Sequence, residues 1–133
     1  VRWKQRDQNF DRAVALLRDA LKNGPEALND LEKEGTARRF EYTVELAWKT
    51  LKDYLEHNGV QLTPVTPRGV IKAAFAARLI PDGQVWIDIL DRRNLLSHTY
   101  DQSLLSETLT EIHTRYLPAI ERLQAFLQEQ AHE

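Results

Sequence analysis

Four residues able to bind phosphate, move a proton or accept a transferred group stand within one short stretch: Arg93, Asn94, His98 and Tyr100. An arginine binds a phosphate through two parallel N–H groups and stabilises negative charge that develops on phosphorus. A histidine can take the proton from an RNA 2′-hydroxyl or return one to the leaving oxygen. An asparagine can orient that histidine or hold a phosphate oxygen. Together these groups could cleave RNA without a metal or cofactor.

The same stretch has a simpler interpretation. Arginine and histidine near the C-terminus of a helix often complement the helix dipole and pair with acidic side chains, here Asp88 or Asp91. A tyrosine such as Tyr100 is more often a half-buried aromatic residue than a modified one. On pattern alone the structural role is the more frequent, so the elements around the stretch have to be considered.

The composition predicts one folded domain over residues 1–133. Hydrophobic residues make up 42% of the chain and charged residues 29%, which suits a globular protein. The formal charge of −2 predicts no general attraction to nucleic acid, so RNA binding would need a local basic patch.

Several classes of site and location are excluded or disfavoured by residue usage. The chain has no cysteine, which excludes disulfides, thiolate metal sites and a cysteine nucleophile. No two histidines have the spacing of metal ligands, so no metal site is expected. No long apolar run and no signal-like start are present, so we expect a cytoplasmic protein that makes no contact with membranes.

Apolar residues recur at helical spacing almost throughout the chain, and no segment alternates as a strand does. The first two helices are predicted over about residues 3–22 and 37–57. A third should begin at Pro67 after a cap by Thr66, and a fourth should begin after a cap by Asp82 and run into the stretch with Arg93 and His98. The last helix should run from a cap by Ser103 to about Gln128, with a bend at Pro118. Residues 26–34 are expected to form a short helix or the first turns of the second one. The predicted fold is all-α, an antiparallel up-and-down bundle of about five helices.

Two expectations concern side chains on the predicted helices. The second helix should carry a solvated face formed by Arg39, Glu45, Lys49, Lys52 and Asp53, whereas Trp48 and Trp86 should belong to the core. On the fourth helix, Arg93 and His98 are five residues apart and diverge by about 140°. Either the helix ends near Ser97 and His98 swings round, or a symmetric homodimer gathers both side chains in a shared groove.

Four segments of the chain resemble a known family. Residues 93–100, Arg-Asn-Leu-Leu-Ser-His-Thr-Tyr, resemble the Arg-x4-His-x-Tyr motif of HEPN domains that are paired with minimal nucleotidyltransferases. Residues 39–49 resemble the second-helix signature of the nucleotidyltransferase substrate-binding protein family, and residues 66–71 and 79–86 resemble its third and fourth helices. The segments occur in the family's order and cover nearly the whole chain.

The resemblance implies a helical bundle that forms a homodimer, with the motif lining a cleft between protomers. It implies a toxin whose partner is a cognate minimal nucleotidyltransferase. By analogy, Arg93 and His98 would carry metal-independent cleavage of RNA, and Asn94 would be a polar helper. Tyr100 matches the residue that the partner adenylylates in related pairs, which silences the toxin.

Two other functions stay open. The chain could be a non-catalytic subunit that presents a nucleotide or acceptor to the nucleotidyltransferase, which its mildly acidic charge and lack of an obvious basic stripe favour somewhat. It could also be a dimeric helical scaffold whose site has decayed.

Overall fold

The computed structural model describes residues 1–99 and 101–133, and within these the regular secondary structure is entirely helical. The helices are α1 (Arg2–Ala20), α2 (Asp30–His57), α3 (Pro67–Ala76), α4 (Gly83–His98), α5 (Gln102–Glu111) and α6 (Leu117–Ala131). A π-helical segment, Ile112–Tyr116, joins α5 to α6, so the last two form one continuous helix. The predicted all-α bundle of about five helices is confirmed. Over this part of the chain, each helix is too short or too polar to span a membrane.

Helix α1 runs antiparallel to α2 and to the last helix. At one end of the bundle the Trp3 ring of α1 meets the Tyr54 ring of α2 edge-on, with centroids 5.0 Å apart. Near the other end Arg39, from the first part of α2, donates a hydrogen bond to the Leu16 carbonyl over 2.7 Å. The last helix is antiparallel to α1 as well, since Arg18 Nε lies 2.6 Å from Glu121 Oε2, and further along α6 the Gln128 side chain donates to Asp11, earlier in α1, over 3.4 Å.

One apolar core runs between the helices. Every helix contributes fully or nearly fully buried side chains to it, among them Phe10, Phe40, Ile71, Trp86, Leu109 and Leu123. Burial of this apolar surface is the main force that holds the helices together. Trp86 belongs to the core as predicted, whereas Trp48 is only partly buried and packs against the core edge.

Local hydrogen bonds fix where α3, α4 and α5 begin. Thr66 accepts from the Gly69 N–H at the start of α3, and Asp82 accepts from the Gln84 N–H at the start of α4, both at 3.0 Å and both as predicted. The predicted Ser103 cap is wrong. Asp101 caps α5 instead, because its carboxylate accepts from the Ser103 N–H over 2.8 Å.

The second helix begins earlier than Thr36. Asn29 and Glu32 form a reciprocal capping box, in which each side chain accepts from the other residue's backbone N–H. Residues 30–34 are therefore the first turns of α2. The helix continues through Gly35, and Thr36 donates its hydroxyl to the Glu32 carbonyl over 2.7 Å instead of capping a new helix.

Pro118 disturbs the last helix without ending it. Proline has no N–H to donate to the carbonyl four residues earlier. The π-helical segment Ile112–Tyr116 lies directly before this point, and such a wider turn absorbs an interruption of the α-helical bonding. The bend predicted at Pro118 stays a prediction, and what the structure shows there is this π-helical segment.

Candidate functional site

The C-terminal half of α4 carries three of the four predicted site residues. Arg93, Asn94 and His98 all lie within this helix, which ends at His98. Thr99 then adopts an extended backbone, with φ −135° and ψ 123°. Tyr100, the predicted site of adenylylation, lies outside the described residues. The helix therefore fixes the relative directions of Arg93 and His98.

Arg93 points from α4 towards α2, where its side chain is partly buried. Its guanidinium forms an ion pair and a hydrogen bond with the Glu45 carboxylate through Nη2. Its Nη1 group donates to Asn94 Oδ1 over 3.1 Å. Two of the predicted site residues, Arg93 and Asn94, are thus in direct contact, and Glu45 anchors the pair to the neighbouring helix.

Glu45 is the centre of a small polar cluster that we call the Glu45 cluster, formed by Glu45, Trp48, Lys49 and Arg93. The Trp48 indole N–H donates to Glu45 Oε2 over 3.1 Å, and Lys49 Nζ lies 3.1 Å from Oε1. Partial burial opposes ionisation of the carboxyl, but the bonds from Trp48 and Lys49 and the charge of Arg93 outweigh it and lower the pKa of Glu45. The carboxylate therefore stays ionised and holds three donors.

His98 lies apart from this cluster. Its side chain is exposed, and within the described part of the chain it has no hydrogen-bond or ion-pair partner. Because His98 is still helical, its direction differs from that of Arg93 by about 140°. The structure brings Arg93 and Asn94 together and leaves His98 on another side of the helix.

The acidic residues of α4 pair elsewhere. Asp91 binds Arg68 of α3 over 2.7 Å, and Asp88 binds Arg115 of the π-helical segment over 3.1 Å. The two partners named for Arg93 and His98 in the simpler interpretation, Asp88 and Asp91, are therefore wrong, although Arg93 does pair with an acidic side chain, that of Glu45. The pKa of the Asp88 carboxyl is lowered, mainly by the hydrogen bond from Gln84 and further by the contact with Arg115.

Two depressions flank the motif, and acidic groups predominate in both. A cavity of about 150 Å³ lies between α2 and the corner from α4 to α5, where its charged lining residues are Glu34, Glu41 and Asp101. The second depression is shallower, has a volume of about 440 Å³ and lies between α4 and the last helix. Its charged lining consists of four carboxylates and two arginines. Neither depression offers a phosphate an excess of positive charge.

The contribution of α2 was not predicted from the sequence. Glu45 and Lys49 were expected on a solvated face, yet both are only partly exposed and belong to the cluster around Arg93. Asp53, expected on the same face, is buried and pairs with Arg6 over 3.2 Å. The spacing of four between Glu45 and Lys49 was a visible signal for their pairing. No local pattern indicates the contact with Arg93, which is 48 residues further along the chain.

Two solved structures have this fold. A protein from Thermus thermophilus is 29% identical, with a TM-score of 0.73 over 93% of this chain and 99% of its own. A protein from Haemophilus influenzae, described as revealing the fold of a substrate binding domain of a nucleotidyltransferase, superposes with a TM-score of 0.67 over 95% of this chain and 96% of its own. At 23% identity, the second likeness concerns the fold alone.

Sequence comparison gives a relative and a family. "Probable ribonuclease HepT" of Haemophilus influenzae is 31% identical over 81 residues, which are 59% of this chain. The alignment spans only 56%, about half, of that relative's length. A family model described as "Nucleotidyltransferase substrate binding protein like" matches residues 5–129. This chain therefore belongs to the nucleotidyltransferase substrate-binding protein-like family.

Proposed function

We propose that this protein is a HEPN-type toxin, a metal-independent ribonuclease that a cognate minimal nucleotidyltransferase neutralises. The observation that carries the proposal is the Arg93-x4-His98-x-Tyr100 arrangement at the end of α4, in a chain of this family. Similarity to a relative named as a ribonuclease supports it. In this proposal Arg93 and His98 are catalytic, Asn94 assists them, and Tyr100 is the site of modification.

The chemistry follows from the types of side chain. The imidazole of His98 takes the proton from an RNA 2′-hydroxyl, and the 2′-oxygen attacks the adjacent phosphorus. The bond from phosphorus to the 5′-oxygen breaks, and that oxygen takes up a proton. The products are a 2′,3′-cyclic phosphate and a 5′-hydroxyl. The guanidinium of Arg93 stabilises the charge on the pentavalent phosphorus, so that no metal is needed.

A homodimer would complete this site. Within one protomer Arg93 faces α2 while His98 is exposed on another side of α4. A second copy related by a two-fold axis would place its own motif in the same groove. The apolar side chain of Leu95, 45% exposed, lies about 60° around α4 from His98 and would be buried if this side of the helix formed the interface.

Neutralisation would act directly on this groove. The tyrosine hydroxyl of Tyr100 attacks the α-phosphorus of ATP in the partner enzyme, and pyrophosphate leaves. Each AMP transferred adds a negative phosphate and a bulky nucleoside two residues from His98. RNA would then be excluded by both charge and bulk.

The test is RNA cleavage by the purified protein in the presence of EDTA, with analysis of the product ends. We expect cyclic-phosphate ends and loss of cleavage in His98→Ala. His57→Ala is the matched control, because His57 also lies exposed in the last turn of a helix, here α2. Equal activity in the two variants would refute the assignment of His98.

A second candidate function is a non-catalytic subunit that presents a nucleotide or acceptor to the nucleotidyltransferase. The net charge of −2 and the acidic lining of both depressions favour it, because a free ribonuclease has to attract a polyanion. Copurification with the nucleotidyltransferase, without cleavage of RNA or inhibition of growth, would support this function over the first.

A further inference from the structure

Two ion pairs of the same spacing on α2 differ in their surroundings. Glu45 pairs with Lys49 over 3.1 Å, and Lys52 pairs with Glu56 over 3.0 Å. The Glu45 carboxylate additionally receives Arg93 from α4, a second cation. Lys52 instead meets a second carboxylate, that of Asp53, over 3.7 Å. The two pairs look alike in sequence, but the additional charged group beside each pair has the opposite sign.

Among the groups of ion pairs in the described residues, the Glu45 cluster is the one with an excess of positive charge. Lys49 and Arg93 share one carboxylate, which leaves a net charge of +1. Every other group of ion pairs within residues 1–99 and 101–133 is balanced or negative. The other cations of α4 and its neighbours illustrate this: Arg68 has Asp91, Arg92 has Glu107, and Arg115 has both Asp88 and Glu111. A phosphate near the motif would therefore be drawn to this cluster.

The geometry places both cations beside one another. Lys49 lies against Oε1 of Glu45 and Arg93 against Oε2, so the width of a single carboxylate separates their contact points. The Lys49 side chain is 40% exposed, and an ammonium group has three N–H donors. It can thus keep its bond to Glu45 while donating to a ligand in solvent.

Resting on the ribonuclease function proposed above, we propose that Lys49 is a second phosphate-binding residue beside Arg93, and that Glu45 is the positioning residue that holds both cations for one RNA phosphodiester. Glu45 does not neutralise the site, because it meets two cations. The Trp48 indole N–H, 3.1 Å from Oε2, fixes the carboxylate from its own helix. Two helices are thereby tied into a single anion site.

Lys49 is tested by RNA binding. A His98→Ala background prevents cleavage, and the dissociation constant of a short single-stranded RNA is measured at several salt concentrations. Lys49→Gln should weaken binding about three- to tenfold and reduce the salt slope by about 0.7, the loss expected for one phosphate contact. Lys52→Gln removes the same charge from the same helix and should leave the slope unchanged. Equal effects of the two substitutions would overturn the role of Lys49.

Glu45 is tested by separating kcat from KM for RNA cleavage. Glu45→Gln and Glu56→Gln each remove one negative charge from α2. If Glu45 positions Arg93, its substitution lowers kcat about tenfold although RNA binds as tightly or more tightly, whereas Glu56→Gln leaves kcat unchanged. An unchanged or increased kcat in Glu45→Gln would show that Glu45 only masks Arg93 and would overturn the positioning role.

Two controls keep these outcomes separate from folding and from the proposed function. Thermal unfolding identifies any variant that is not folded at the assay temperature, and Glu45→Asp, which keeps the charge, should recover part of the lost kcat. If the wild-type protein binds RNA without cutting it, the proposed ribonuclease function and the positioning role of Glu45 are both refuted. The comparison of Lys49→Gln with Lys52→Gln would still show whether Lys49 binds phosphate. A wild-type protein that binds no RNA would overturn both proposals.

Discussion

The guanidinium of Arg93 on α4 is bound by the carboxylate of Glu45 on α2. This contact joins the segment that carries the motif to the longest helix of the bundle. It also determines which predicted site residues can cooperate within one protomer. Arg93 is held towards α2 with Asn94, and His98, the last residue of α4, lies on another side.

The buried carboxyl of Asp7 should make stability depend on pH. Desolvation in the core, with a smaller contribution from the charge of Asp11, raises the pKa of Asp7 to about 7 from 3.8. The folded state thus keeps a proton that the unfolded state releases. This contribution to stability is complete below pH 3.8 and is lost as the pH rises through about 7. Thermal unfolding between these pH values measures it.

Replacement of that carboxyl should remove the effect. Asp7→Asn cannot ionise, so we expect it to stabilise the fold at pH 7 and above by on the order of 2 kcal/mol and to flatten the pH dependence. Asp19→Asn, at an exposed position of the same helix, is the control and should behave as wild type. An equal pH dependence in wild type and Asp7→Asn would show that Asp7 is not the group responsible.

The start of α5, directly after the motif, should depend on Asp101. Its carboxylate accepts from the N–H groups of Ser103 and Leu104, over 2.8 and 3.3 Å. Asp101→Ala should therefore lower the free energy of unfolding by about 1 kcal/mol, the usual value of such a cap. Ser103→Ala should have little effect, because the Ser103 hydroxyl caps nothing. Chemical denaturation of both variants distinguishes them, and the reverse order would contradict the assignment.

Local structure was largely predictable from the sequence because it depends on neighbouring residues. Apolar spacing gave the helices, and Thr66 and Asp82 were recognised as caps from residue type and position. Asp101 and Ser103 are both good capping residues two positions apart, and residue type does not choose between them. Gly35 suggested a helix break, yet one glycine costs only about 1 kcal/mol, which the packing of α2 offsets.

The composition of the site was predicted only in part, since a contact between distant segments leaves no local signal. Arg93, Asn94 and His98 were predicted as site residues by type, spacing and resemblance, and this stays a prediction. The binding of Arg93 by Glu45 depends on how α2 and α4 pack, and it brings Glu45 and Lys49 into one cluster with Arg93. Burial of Asp53 was missed for the same reason, because Arg6 of α1 supplies its partner.

Modification of Tyr100 should be visible by mass spectrometry. Incubation with the cognate nucleotidyltransferase, ATP and Mg²⁺ should add one or more AMP units, and cleavage of RNA should fall in proportion to the modified fraction. Tyr100→Phe lacks the acceptor hydroxyl and should gain no mass. Tyr42→Phe, another tyrosine of the chain, serves as the control and should be modified like wild type. AMP on the Tyr100→Phe variant would rule the assignment out.

In the proposed function, Arg93 and His98 act together on RNA although a single chain holds them apart. The most direct measurement is cleavage of RNA in EDTA by an equimolar, refolded mixture of Arg93→Ala and His98→Ala subunits. Each variant alone should be inactive. If two protomers build the site, random pairing makes half of the dimers mixed, each with one complete pair, and restores about a quarter of wild-type activity. A mixture as inactive as its two components, beside an active wild-type protein, would show that Arg93 and His98 from different chains do not form a shared site.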